Sequence, residues 1–233
     1  MPGIVILFDM KVLLFGTKQK EIEEMVKNTG FVLVEKDPEI IICYGGDGTL
    51  FGAEYEYPGI PKVMVRGSRV CKLCNSLSNQ EVLKRVKEGK YKREKIGKLE
   101  VSVSGETMIA MNDVVVHNKD PRHAMRYIIH VDGIQIGEEI IGDGVVVATP
   151  LGSSGYYRSI TDSSFEVGIG LAFNNSTEQS DHIVLSDERS VVVNITRGPA
   201  IIYADNQKES IEVNVGGEVK IVKSEQFATI LKV

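Results

Sequence analysis

IIICYGGDGTLFG, residues 40–52, sets an unbroken apolar run, Ile40 to Cys43, directly against a segment in which three glycines and a threonine surround one carboxylate, Asp47. A short continuous apolar run of this kind reads as a strand buried on both faces, as in a parallel sheet covered by helices. Glycine carries no Cβ, so the backbone after the strand either makes a tight turn or comes close to something. A glycine-rich loop at the carboxyl end of a parallel strand points its N–H groups into the crevice where open α/β sheets bind ligands. Such bare N–H groups favour phosphate. Neither the Walker pattern nor G-x-G-x-x-G occurs here, so the segment is expected to be a different nucleotide-phosphate loop, or a simple turn.

Outward from this segment, strand and helix signals alternate. Val12 to Phe15, Phe31 to Val34 and Lys62 to Val65 read as further strands, and Lys20 to Lys27 and Asn79 to Glu88 as helices. Ile4 to Phe8 is either one more strand or an unstructured lead. Near Ile96 the pattern changes to period two. KLEVSVSGETMIAMNDVVVHN alternates around Ser104-Gly105, and RYIIHVDGIQIG around Asp132-Gly133, a strong hairpin signal. The expected fold is an α/β N-terminal domain with a parallel sheet, residues 1–95, plus a β-rich, antiparallel, sandwich-like C-terminal domain, residues 96–221. The last strand, 222–233, is open to joining the first domain. The boundary is expected in GKYKREKIGK, residues 89–98, as a linker.

Bulk properties narrow the partners. The net charge of −5 gives no global basic field for nucleic acid. The basic run from Lys84 to Lys98 is expected to be a solvated helix end and linker, or a phosphate-attracting rim. No apolar stretch approaches the roughly 18–20 residues that span a bilayer, and no basic segment precedes Ile4, so neither a membrane span nor a signal peptide is expected. Three cysteines suit a reducing compartment, and cytoplasmic residence is the expectation. Cys71 and Cys74 form a lone C-x-x-C without the second pair that a structural zinc site needs. The histidines show no ligand spacing.

Two further stretches carry polar groups in useful places. GDGVVVATPLGSSGYYRS, residues 142–159, runs from Asp143 through a strand into a loop with Thr149, Ser153, Ser154 and Ser159, whose hydroxyls could donate to a polar ring edge. Tyrosine in the same loop could pack on a purine. MNDVVVHN, residues 111–118, places Asn112 and Asp113 at a strand start, where either residue also suits a turn.

Taken together, GGDGT at Gly45 to Thr49, ND at Asn112-Asp113, GDG at Gly142 to Gly144 and TPLGSSGY at Thr149 to Tyr156 resemble the NAD kinase family in order and spacing. The likeness spans roughly residues 40–215. GGDGT alone is shared with lipid kinases; the T-P-x-G-S-x-x-Y partner makes the resemblance specific. It implies a kinase that moves the terminal phosphoryl of ATP, or of polyphosphate, to the adenosine ribose 2′-OH of NAD. It further implies Mg2+, a dinucleotide held between two domains, and homodimers or homotetramers in which one subunit completes its neighbour's site. Carried across by position, Asp47 would be the base or help hold the metal, and Gly46, Gly48 and Thr49 would hold phosphate. Asn112 and Asp113 would line the ribose. Ser154, Tyr156 and Ser159 would hold the adenine region, with Asp143 on the bound dinucleotide.

The sequence departs from the family at three places. Glu54 and Glu56 stand where a basic residue is usual. VMVRGSRVCKL replaces G-I-N-x-G-x-L-G-F-L, which puts Arg66 and Ser68 at altered positions. SITDS, residues 159–163, replaces S-A-G-G-P. These changes fall on the donor side, where Arg66 and Arg69 are either replacement positive charge or a solvated pair. They leave two alternatives to a working NAD kinase: a dinucleotide sensor with a decayed donor site, and a lipid or small-alcohol kinase built on GGDGT.

Overall fold

β3 (Ile40–Gly45) is the middle strand of a parallel sheet whose order is β2 (Val32–Leu33), β1 (Lys11–Phe15), β3, β4 (Lys62–Arg66) and the end of β16 (Glu218–Lys232). The structure is a computed structural model that describes residues 9–177 and 181–233; the apolar lead Ile4 to Phe8 lies outside them. The chain divides into two compact units, residues 1–95 with 228–233, and residues 96–227.

In the first unit, Ile40 to Cys43 are all buried, as a strand covered on both faces must be. Ile40 and Ile42 join one core cluster with Ile22 and Val26 from α1 (Glu23–Asn28) and its lead, and with Val82, Leu83 and Val86 from α3 (Asn79–Lys87). α3 starts where Ser78 accepts the Glu81 amide, an N-cap bond. Alternation along β3 sends Ile41 and Cys43 to the opposite face, where α2 (Asp47–Glu56) buries Leu50, Ala53 and Glu54. Glu54 is not at a phosphate rim. It is ion-paired with Lys62 of β4, both nearly inaccessible. The Lys62 ammonium also donates to the carbonyls of Tyr57 (2.6 Å) and Ile60 (2.8 Å), and Glu54 accepts the Gly59 amide at 3.1 Å.

The second unit is built from antiparallel strands, in two layers around one core. One layer is the six-stranded sheet β12 (His182–Leu185), β11 (Ile169–Asn174), β10 (Gly144–Ala148), β7 (Asp113–Asn118), β14 (Ala200–Ala204), β15 (Ile211–Val213). The other contains β9 (Ile134–Gly142), β8 (Met125–Val131), β13 (Val191–Arg197) and the start of β16, with the hairpin β5 (Lys92–Val103) and β6 (Glu106–Ala110). Tyr127, Ile129, Val193 and Leu99 from this layer share a core with Val114, Val116, Val145 and Leu171 from the six-stranded sheet.

Three expectations are corrected. The GGDGT segment is not a free loop, because α2 begins at Asp47. The segment after Ala148 is not an open loop. It winds into a short 3-10 turn at Gly152–Ser154 and α4 (Tyr156–Thr161), since the Thr149 hydroxyl accepts the Gly152 amide and starts the turn. The basic run is not a linker, because Lys92 opens β5 and Lys98 is buried in it.

Candidate functional site

In the first unit, Gly46 is the N-cap of α2, and Gly48 and Thr49 lie in its first turn. Asp47 turns its carboxylate onto the segment after β4. The Lys72 amide donates to Oδ2 at 3.1 Å and the Leu73 amide to Oδ1 at 3.0 Å. A Cβ on Gly46 would stand 2.8 Å from the Val70 carbonyl oxygen and 3.3 Å from Ser68 Cβ. The close approach that glycine permits at Gly46 is therefore to the chain's own 68–74 segment. Arg66 is fixed to α3 through its backbone, with Asn79 accepting its amide (3.0 Å) and donating to its carbonyl (2.9 Å). The side chains of Arg66 and Arg69 are exposed.

Cys71 and Cys74, expected as ordinary thiols, are joined in a disulfide. Four residues suffice to bring the sulfurs together, and sequence spacing alone did not separate this from metal or inert use. Cys43 is free, and burial pushes its thiol up to about 12, so it is an inert core residue.

In the second unit, β7 and β10 run side by side with Asp113 opposite Ala148. The turn after Ala148 therefore folds back over Asn112. Thr149 Oγ1 donates to the carbonyls of Met111 (2.9 Å) and Asn112 (3.1 Å). A Cβ on Gly152 would lie 2.0 Å from the Asn112 carbonyl oxygen, so only glycine fits there. Asn112 Nδ2 donates to Asp113 Oδ2 at 2.7 Å. Asp113 is only 6% exposed. Burial first, then the nearby charge of Asp205, pushes its carboxyl up to about 7, against the opposing bond from Asn112.

Asp205 is the residue that sequence reading missed. It accepts the amides of Met111 (2.7 Å), Asn112 (2.7 Å) and Asp113 (3.1 Å), and so sets the backbone of the whole Asn-Asp pair. Burial raises its carboxyl, opposed by these three amides and by Lys98. Its place in a turn, Asp205-Asn206 after an apolar strand, was visible in the sequence; its partners were not.

Asp143 accepts from Asn118 Nδ2 (3.3 Å) and Asn175 Nδ2 (3.1 Å). Tyr156, 37% exposed, receives a bond from Asn174 Nδ2 to its hydroxyl at 3.0 Å. Its phenol is raised by burial, then by the charges of Asp143 and Asp113. Asn112, Asp113, Asp143 and Tyr156 thus share one neighbourhood. Ser159 lies a turn along α4 and donates to the Tyr156 carbonyl at 2.7 Å, and Ser154 donates to Leu151 at 3.5 Å. Thr149 and Ser153, expected as ligand donors, are buried with their protons on backbone carbonyls. Tyr157 is likewise a core residue, packed edge-on against Phe165 and His182.

A family model described as the ATP-NAD kinase C-terminal domain matches residues 111–233, just over half the chain. The chain belongs to the NAD kinase family. The match begins at Met111 and so takes in Asn112-Asp113, Asp143 and Tyr156. Among relatives, an NAD kinase from Methanopyrus kandleri is 27% identical over 208 residues, covering 84% of this chain and 74% of that protein. One from Saccharolobus islandicus is 34% identical over 161 residues, covering 66% of this chain and 63% of that protein. A crystal structure of an NAD kinase from Archaeoglobus fulgidus in complex with ATP aligns with a TM-score of 0.75 at 27% identity, over 95% of this chain and 92% of that one. Yeast NADH kinase shares the fold, with a TM-score of 0.80 at 15% identity, over 96% of this chain and 83% of that one.

Proposed function

We propose that this protein is an NAD kinase, transferring the terminal phosphoryl of ATP to the adenosine ribose 2′-OH of NAD. The observation that carries the reading is the likeness, at 27% identity across 95% of the chain, to the ATP-bound kinase from Archaeoglobus fulgidus. Asp47 takes the 2′-OH proton as the new bond forms, a contribution of about 10²–10⁴ in rate. Gly46, Gly48 and Thr49, at the start of α2, receive phosphate. Asn112 and Asp113 hold ribose hydroxyls, Tyr156 stacks on the adenine with Ser154 and Ser159 at its edge, and Asp143 holds the dinucleotide.

Among the described residues no group of three His, Cys, Asp or Glu side chains is placed to hold a metal ion. The single carboxylate of Asp47 at the start of α2 is the kind of donor Mg2+ takes, since that ion is usually held by one or two carboxylates together with substrate phosphates. Asp47 would be its carboxylate, and the ion would supply charge neutralisation at the transferring phosphoryl. Arg66 and Arg69, exposed on the segment facing Asp47, supply donor-side positive charge in place of the family's usual basic residue. The acting form is a homodimer or homotetramer.

One observation favours a second reading. Both oxygens of Asp47 already accept backbone amides, as suits a dinucleotide sensor without turnover. NADP formation from NAD, Mg2+ and either ATP or polyphosphate decides between them and names the donor. Product from the parent and not from Asp47→Asn supports the kinase. NAD binding without product supports the sensor.

A further inference from the structure

The Cys71–Cys74 bridge closes a ring around the two residues, Lys72 and Leu73, whose amides grip Asp47. The two sulfurs lie against the stretch of chain that carries the carboxylate. Cys71 Sγ is 3.5 Å from Asp47 Oδ1, and Cys74 Sγ is 3.9 Å from the Gly45 carbonyl oxygen. A bridged sulfur carries no proton, so both are contacts and neither is a hydrogen bond. The missing Cβ of Gly46 lets the chain just before the ring, Ser68 and Val70, come close to the α2 start. Arg66 adds a long bond to the Cys71 carbonyl at 3.5 Å.

We infer that the Cys71–Cys74 disulfide is a positioning element for Asp47, so that the thiol–disulfide state of this pair sets the turnover rate. The inference rests on the kinase reading above. A closed ring restricts the backbone at Lys72 and Leu73, and so holds two N–H groups where each meets one carboxylate oxygen. The carboxylate is thereby aimed, with its outer lone pairs left for a hydroxyl proton. Opening the ring takes two electrons and two protons. A dithiol reductant supplies both, becoming a cyclic disulfide while Cys71 and Cys74 become thiols. The freed loop then holds the amides less firmly, and the Cys71 thiol becomes a further donor competing for Oδ1. Both effects blunt Asp47 as a base. Small misplacement of a catalytic group is enough to cost up to about a hundredfold in rate.

NAD is held by residues of the second unit in this reading, so its KM should not follow the bridge. The signature is therefore a fall in kcat, of roughly tenfold or more, with the KM for NAD unchanged.

The test uses the full chain, oxidised or treated with dithiothreitol, with the state read by intact mass as the gain of two hydrogens. NADP formation is then measured against NAD concentration for the parent, for Cys71→Ser with Cys74→Ser, and for Asp47→Asn. The expected result is a lower kcat on reduction, a double-serine variant fixed at the reduced level in both conditions, and a residual Asp47→Asn rate that ignores the bridge. Circular dichroism of each sample separates loss of fold from loss of aim. Equal kcat in two states of verified mass overturns the inference and leaves the kinase intact. Failure of the mass to change, because the pair never bridges, also overturns it. No NADP in either state is failure of the kinase reading itself.

Discussion

Asp113 and Asp205 hold each other through the backbone: the Asp205 amide donates to the Asp113 carbonyl oxygen at 3.0 Å, and the Asp113 amide returns a bond to Asp205 Oδ1 at 3.1 Å. Their carboxylates are therefore kept close in a buried place, and the Asp205 charge raises the cost of ionising Asp113. The Asp113 carboxyl is pushed up to about 7, by burial first and Asp205 second, and Asp205 is shifted in the same direction by burial. In an unfolded chain an aspartate titrates near about 3.9. Between that value and about 7 the unfolded chain has released a proton that the folded unit keeps. Stability is thus fully present below the lower value and falls as pH rises through the upper one, by an amount on the order of a few kcal/mol. Thermal unfolding midpoints should drop from about pH 5 to about pH 8, and Asp113→Asn should flatten the profile. A parent whose midpoint rises over that range would contradict the assignment.

Replacing Asp205 removes an acceptor from three amides at once. Each buried amide left without a partner costs about 1–3 kcal/mol, so Asp205→Ala should destabilise by ~3 kcal/mol or more in urea unfolding. Asp205→Asn keeps one carbonyl oxygen for the Asn112 and Asp113 amides and loses the acceptor for Met111. It should fold, with an NAD KM raised several-fold and a kcat near the parent's. A kcat collapse with normal KM would show that Asp205 acts on the chemistry and not on the Asn-Asp pair.

Tyr156 offers a separate test of the adenine assignment. Its hydroxyl bond to Asn174 is half-exposed, so Tyr156→Phe should change NAD binding by at most about 1 kcal/mol. Tyr156→Ala removes the ring and should weaken NAD by roughly tenfold or more, through lost stacking, while ATP binding stays close to the parent's. Calorimetry with each nucleotide reads this directly. Equal losses for both would remove the ring from the NAD site.

The Lys62–Glu54 pair should behave as a buried ion pair with extra hydrogen bonds. Lys62→Met takes away the ion-pair partner of the buried Glu54, and should cost ~3–5 kcal/mol. Changing Glu54→Leu in the same molecule should restore most of that loss, because a well-packed apolar pair is often as stable as an ionic one. Denaturant midpoints of the single and double variants measure it. No recovery in the double variant would mean that the carbonyls of Tyr57 and Ile60 depend on the Lys62 ammonium more than Glu54 does.

The parts of the fold readable from sequence are those set by local pattern. Ile40 to Cys43 announced a doubly covered strand because its burial is continuous, and Asp132-Gly133 announced its hairpin because a positive φ there suits that pair. α2 was not legible. Its inward face is Leu50, Ala53 and the charged Glu54, so no apolar stripe marks it as a helix. Lys98 misled for a related reason, since a lysine in a basic run reads as solvated, and only the tertiary fold brings it beside Asp205. Of the candidate residues, Asp47, Asp113, Asp143 and Tyr156 stood out by motif. Asp205 did not, because its partners Met111 to Asp113 are remote in sequence and its own turn looks ordinary. Thr149 and Ser153 looked available because hydroxyls in a glycine-rich segment usually are. The structure consumes both in holding that segment against Asn112.

β16 imposes an order of synthesis. It pairs with β13 near its start, and its later residue Ile230 pairs with Lys62 of β4. Leu231 is buried in the same core as Ile40 and Val63, and the Val233 carbonyl accepts a bond from Asn75. Lys62, Ile40 and Asn75 leave the ribosome early, but the strand that completes their sheet is made only after all of Ile96–Phe227. During translation the first unit waits with the β4 edge of its sheet open and part of its core unfilled. A chain halted at Phe227 would keep that edge exposed for good, and β4 would then be the place where such a fragment sticks to others of its kind.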